Sequence, residues 1–247
     1  MRGLIQLGDV AAALMLLTRV PIAWSGTPRG REAAWAWPVA GLVVGAIAAG
    51  GGALAVAIGL PSGLAAGVTL ALAVVLTGAL HEDGLADIAD GFWGGRDTDT
   101  RLEIMRDSRI GSYGVSALIL CFGFRWLALG YLVEAGAWGA IIAAAVLSRA
   151  PMAAVMRVLP PARADGLSRL VGRPAWRHVA VGGILAVGLA FGLAGWAGPA
   201  AALAAAVAAG CIGLVAWRKI KGQTGDVLGA VQQVAEVAVL AVLVTLG

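Results

Sequence analysis

Apolar runs of close to 20 residues alternate with short polar connections along the whole chain, and this spacing predicts membrane-crossing helices. The runs fall at about 34–58, 64–80, 112–133, 138–158, 179–196, 199–217 and 227–246. A helix needs about 20 residues to cross a hydrocarbon core of roughly 30 Å, so these predict seven spans. A shorter segment at 4–18 carries Gln6 and Asp9 and ends at Thr18-Arg19-Val20-Pro21. It is expected to lie in the interface or to re-enter rather than to span. Asp9 interrupts its apolar stretch and no small-residue cleavage pattern follows, so it is read as retained rather than as a signal peptide. The fold class is therefore all-α: a polytopic membrane bundle of about seven spans plus a short N-terminal helix, in one domain over 1–247.

Composition agrees, at 60% hydrophobic and 13% charged residues, and excludes a soluble domain. The formal net charge of +4 does not indicate nucleic acid, because in a membrane protein Lys and Arg collect on cytoplasmic loops. The loops at 19–32, 81–111, 157–177 and 218–226 carry nearly all of the basic residues, whereas the connections at 59–63, 134–137 and 196–198 carry none. That alternation places 81–111 on the cytoplasmic side of the membrane. Trp35 and Trp37 are expected as interface anchors, and Cys121 and Cys211 as buried free thiols. The runs rich in Gly and Ala at 41–59 and 197–209 read as close helix packing.

Chemistry concentrates in one place. Eight of the fourteen carboxylates lie between Glu82 and Asp107. Written as a helix, Asp83, Asp87 and Asp90 share one face at i, i+4 and i+7, while Glu82 points about 100° away. Three like charges on one face repel. Mg²⁺ bridging them to substrate phosphates would relieve the repulsion, because it takes hard oxygen ligands and keeps phosphates in its shell; the alternative is a solvated acidic face. Gly84 and Gly91 would let a phosphate approach the backbone. Glu103 and Asp107, also i and i+4, form a second carboxylate pair that could face the first.

Arg106 and Arg109 bracket Asp107 and suit a phosphate shared between metal and guanidinium, or else a salt-bridged loop. Gly94, Gly95 and Gly111 offer a weak anion-cradle signal. His81 is either a general base for an attacking hydroxyl or an anchor at a helix end. Arg125 and Arg149 sit inside predicted spans and require partners there, either a phosphate or Glu134 or Glu236. Lys221 to Asp226 place donors just before a helix, with Thr224 and Asp226 as an anion site or as ordinary caps.

These residues resemble the adenosylcobinamide-GDP ribazoletransferase (cobalamin synthase) family. The likeness rests on His81-Glu82-Asp83-Gly84-Leu85-Ala86-Asp87 continuing to Asp90-Gly91, and on Leu102-Glu103-Ile104-Met105-Arg106-Asp107-Ser108-Arg109-Ile110-Gly111. Leu17-Thr18-Arg19-Val20-Pro21, Ser148-Arg149-Ala150-Pro151 and Gly222-Gln223-Thr224-Gly225-Asp226-Val227-Leu228-Gly229-Ala230 extend it over nearly the whole chain, with Lys221 standing where a second Gly is expected. The resemblance implies a Mg²⁺-dependent membrane enzyme joining adenosylcobinamide-GDP to α-ribazole or its 5′-phosphate. The products would be adenosylcobalamin or its 5′-phosphate, and GMP. Asp83, Asp87, Asp90, Glu103 and Asp107 are then the candidate metal ligands. Arg106, Arg109, Arg149, Thr224 and Asp226 are the candidate phosphate contacts. Two other classes share part of the pattern. A CDP-alcohol phosphotransferase-like lipid enzyme uses the same metal logic but a different spacing. A cation-coupled transporter would carry its carboxylates near mid-membrane and show an internal repeat, which is not evident here.

Overall fold

A computed structural model of the chain describes residues 5–247, so residue 4 of the expected N-terminal segment lies outside the described residues. Among the described residues eleven α-helices follow one another: α1 Leu7–Leu17, α2 Trp37–Ala57, α3 Ser62–Thr77, α4 Leu80–Gly94, α5 Thr98–Ile104, α6 Ser112–Glu134, α7 Trp138–Val158, α8 Leu167–Val171, α9 Trp176–Ala194, α10 Ala197–Ile220 and α11 Gly225–Leu246. A 3₁₀ turn, Arg31–Ala36, leads into α2. The described residues form no strand, only an isolated bridge between Pro161 and Gln223.

Among the described residues six helical stretches are long and apolar enough to cross a membrane: Arg31–Ala57, Ser112–Glu134, Trp138–Val158, Trp176–Ala194, Ala197–Ile220 and Gly225–Leu246. The expected span at 64–80 is long and apolar enough only when α3 is taken with α4, and the two are bent by 86° at the break between them. The bend has a local cause. Gly78 closes α3 in the left-handed conformation at φ 64°, and Ala79 repeats it at φ 57°. Glycine adopts this region freely, whereas a residue with a Cβ does so at a cost of about 1–2 kcal/mol. α1, at 11 residues, is too short to cross.

Small residues set the spacing of the bundle. A Cβ on Gly41 would stand 2.2 Å from the Ala145 carbonyl oxygen, and one on Gly45 would stand 2.9 Å from the Ala145 Cβ, so α2 and α7 pack backbone to backbone. Gly198 is likewise pressed against Ala190. The chain bends back between α9 and α10 at Gly195 and Trp196, so Ala197-Gly198-Pro199 is the first turn of α10 rather than a connection, a position that proline tolerates.

Other expectations need correction. Trp35 and Trp37 are buried rather than interfacial; Trp35 donates its indole N–H to Asp9 at 2.7 Å. Asp9 is also paired with Arg29, which ties α1 to the 3₁₀ turn. Cys121 is buried, but Cys211 is exposed on α10. In a membrane helix the outward face is apolar too, so hydropathy does not separate it from the core.

The polar centre of the bundle is Arg125, 2% exposed. Its Nη1 donates to Glu82 at 2.9 Å and to Gln233 at 2.8 Å, and its Nε donates to Glu236 at 3.1 Å. Gln233 Nε2 donates to Glu82 at 3.0 Å, and Gln232 Nε2 donates to Ser148 at 3.0 Å. α4, α6, α7 and α11 are thereby fastened at one level. Removing one partner from a buried ion pair typically costs about 3–5 kcal/mol, because the remaining charge is stranded. Arg125→Leu is expected to destabilise the detergent-solubilised protein by that order. The doubly neutralised Arg125→Leu/Glu82→Gln variant should recover part of the loss in thermal unfolding.

Candidate active site

The site forms where α4 crosses the N-terminus of α11. Both helices lack a side chain at the crossing. A Cβ on Gly84 would fall 2.7 Å from the Asp226 carbonyl oxygen, and one on Gly229 would fall 3.2 Å from the His81 backbone. Gly84 is thus occupied by a helix, not held open for a phosphate as its sequence context suggests. Gly91 is similarly filled, by Met105 and the Arg101 carbonyl.

From Asp83 onward α4 runs alongside the N-terminal ends of α6 and α11, at the end of the bundle that carries the basic loops. Asp83 is exposed and Asp87 half-buried, and among the described residues neither carboxylate makes a hydrogen bond. Asp226 comes to them from α11. Its carboxylate accepts from Thr224 Oγ1 at 3.1 Å and from Arg163 at 3.3 Å, while Thr224 caps α11 by accepting from the Val227 N–H at 3.3 Å. The Asp87 carboxyl is pushed up to about 7, first by its burial and then by the charges of Asp226 and Asp83; Arg163 opposes the shift. Carboxylates this crowded, with one guanidinium among them, favour a further cation.

The remaining candidates divide. Asp90 shares the α4 face, but its oxygens accept the Gly111 N–H at 2.7 Å and the Gly114 N–H at 2.9 Å. It caps α6 from another helix, and Gly111 serves that contact rather than an anion cradle. Glu103 ends near the close of α5, and Asp107 lies beyond it in a turn, so the two do not share a helical face. Asp107 is held by Arg109 at 2.6 Å, and Arg106 pairs with Asp165 at 2.6 Å; all but Asp107 are well exposed. The expected second carboxylate pair therefore does not converge on the first. Arg149 is enclosed and donates to the Ala145 carbonyl at 2.7 Å and to Ser148, which removes it from a phosphate site. Arg125 takes Glu236 and Glu82, and Glu134 is not its partner. Among the described residues no three potential ligands of the His, Cys, Asp or Glu types enclose an ion by themselves. Mg²⁺ commonly relies on one or two carboxylates, with waters and substrate phosphate completing its shell, so any two of Asp83, Asp87 and Asp226 would meet that requirement.

Sequence reasoning missed Arg163, which looked like one of five loop arginines. It also missed Gln223 as a site residue, although its 1% exposure distinguishes it in the structure. Both border a cavity of about 240 Å³ next to the carboxylates. His81 borders it as well, buried and with Nε2 unpartnered.

A family model described as cobalamin-5-phosphate synthase matches residues 9–244. This chain belongs to that family. Curated members similar to it include three named adenosylcobinamide-GDP ribazoletransferase. The protein from Bradyrhizobium diazoefficiens is 44% identical over 96% of this chain and 93% of its own length. That from Mesorhizobium japonicum is 46% identical over 96% and 92%. That from Chlorobaculum tepidum is 40% identical over 95% and 94%. No solved structure matches the chain. The cobalamin-5-phosphate synthase match spans the motifs of α4 and α11 together, so one family pattern covers both sides of the helix crossing.

The raised Asp87 carboxyl has a measurable consequence. Above about pH 4 the unfolded chain has lost this proton, while the folded chain keeps it to about 7;. The folded state therefore binds more protons, and stability falls as pH rises through that window. Thermal unfolding of the solubilised protein in divalent-free buffer should shift to lower temperature between about pH 4 and pH 7 and level off above that;. Asp87→Asn should flatten that dependence.

Proposed function

We propose that this chain is a Mg²⁺-dependent adenosylcobinamide-GDP ribazoletransferase, with its charged end facing the cytoplasm of a bacterial inner membrane. The observation that carries the reading is the pairing of Asp83 and Asp87 on α4 with Asp226 on α11. Asp87 is raised towards protonation first by its burial and then by the charges of Asp226 and Asp83, and one partnered guanidinium, Arg163, stands among them. Basic loops at the same end support the orientation.

The reaction joins a ribazole hydroxyl to the phosphorus that bears the cobinamide. The new P–O bond forms as the bond to the GMP oxygen breaks, and GMP leaves with the electron pair. Mg²⁺, when bound, would offset charge developing on the phosphate oxygens. Two carboxylates drawn from Asp83, Asp87 and Asp226 would hold it, the last of these kept in place by Thr224 and Arg163. Arg163 keeps N–H donors beyond its single bond to Asp226, so it can also contact a phosphate oxygen directly. Arg106, tethered to Asp165 on the exposed rim of the cavity, can reach the same diphosphate from the solvent side. His81 Nε2 accepts the hydroxyl proton in this reading, since it is a ring nitrogen without a protein partner on a residue that borders the cavity.

Membranes containing the full-length chain, supplied with adenosylcobinamide-GDP, α-ribazole and Mg²⁺, should release GMP. Asp87→Asn should lower release by about a hundredfold or more while leaving membrane insertion intact. A chelator should abolish release, and Mg²⁺ should restore it. Near-normal release by the Asn variant would remove Asp87 from the site.

A further inference from the structure

The cavity beside the carboxylates has two unlike sets of lining residues. One is charged, the exposed Asp83 and Asp165 with the partly buried Arg163 and Asp226; the other is apolar and buried, Leu17, Trp37, Met152 and Met156. Its volume, about 240 Å³, is below the range typical of drug-sized ligands, roughly 300–1,000 Å³. It admits one small planar base with part of a sugar, and it excludes a corrin ring.

Its polar inventory is out of balance. Nine buried side-chain nitrogen and oxygen atoms lack a hydrogen-bond partner among the described residues. Five of them belong to four residues that border this cavity: Trp37 Nε1, His81 Nε2, Arg163 Nε, and Gln223 Nε2 and Oε1. A buried polar group left without a partner typically costs about 1–3 kcal/mol, and these five atoms, closed off from the cavity as it stands, gain partners when their side chains turn toward a molecule held in it.

Building on the transferase reading, we propose that this cavity is the acceptor subsite, which takes the nucleoside of α-ribazole. The benzimidazole base has apolar carbon edges for the Leu17, Met152 and Met156 side chains and a single free ring nitrogen. That nitrogen accepts from Trp37 Nε1 or Gln223 Nε2, and the remaining Gln223 and His81 atoms meet ribose hydroxyls. Guanine carries donors and acceptors around most of its edge, and burying these against Leu and Met side chains would leave them unsatisfied. The arrangement also sets an order in space. The nucleoside lies against the buried apolar residues, its attacking hydroxyl lies near His81, and the diphosphate lies at the carboxylates. The guanosine then stays outside the cavity.

Gln223→Leu tests the assignment cleanly, because the amide makes no side-chain hydrogen bond within the described protein; Gln223 holds the loop through its backbone, donating to the Pro160 carbonyl at 2.8 Å and accepting from the Ala162 N–H at 2.9 Å. Binding of α-ribazole and of GMP to the solubilised full chain is measured by equilibrium dialysis. Gln223→Leu should weaken α-ribazole by about tenfold and leave GMP unchanged. Trp37→Phe, which keeps the ring and removes the N–H, should weaken α-ribazole several-fold. Weakened GMP with α-ribazole unchanged would hand the cavity to guanine and overturn the proposal. Unchanged binding of both would show that the cavity merely holds water, and would overturn it equally. GMP release by the same wild-type membranes keeps the two readings apart: release intact with α-ribazole binding unaltered defeats the subsite alone, whereas no release defeats the transferase reading.

Discussion

The arrangement of the site depends on one buried cation. Arg125 stands inside the bundle, where an unpaired guanidinium costs several kcal/mol, and it is neutralised by Glu82 from α4 and Glu236 from α11;. This fixes the roll of α4. With Glu82 turned inward to Arg125, Asp83 and Asp87 must turn toward Asp226, since successive side chains on a helix are separated by about 100°. The same helix thus carries an inner acid whose charge is closed by the protein and outer acids whose charge is left open. A rotation of α4 large enough to spread the outer carboxylates would strand Arg125.

Much of this was legible from the pattern of residues, for reasons that differ by residue. The spans were legible because hydrocarbon thickness imposes a length on every crossing. The common face of Asp83, Asp87 and Asp90 followed from helical period alone, as did the divergence of Glu82. What each carboxylate does after that is decided by distant partners. Asp90 and Asp87 look equivalent on the α4 face, yet one meets the N–H groups of Gly111 and Gly114 while the other meets Asp226. Glu103 and Asp107 have helical spacing, but α5 closes at Ile104 before the second of them.

Residues that read one way locally were reassigned by packing. Gly84 sits between acidic residues, which suggests a phosphate at the backbone, whereas the structure fills the space with the α11 backbone. Trp37 heads an apolar run and reads as an interface anchor, but the 3₁₀ turn and α1 cover it and leave it at a cavity wall. Arg163 carries no periodic signal that separates it from Arg157, Arg169, Arg173 or Arg177. Its position beside Asp226 depends on the loop after α7 returning to the start of α11, which the bridge between Pro161 and Gln223 records.

That loop closure explains why a small apolar cavity and a cluster of carboxylates are neighbours at all. The spans supply walls of Leu, Met and Trp that a soluble domain would need a dedicated core to provide, and the helix ends supply the charge. Gln223 lies at the junction, one residue before the Thr224 cap and three before Asp226, with its backbone spent on the bridge and its amide unspent. A local change there would act on both sides at once: on the cavity through the side chain, and on Asp226 through the start of α11. The crossing of α4 and α11 at Gly84 and Gly229 adds the other constraint, because it brings the Asp226 backbone against α4 without a side chain between them. Chemistry at this site is therefore set by two helix ends held at fixed separation, and the buried Arg125 is what keeps them in register.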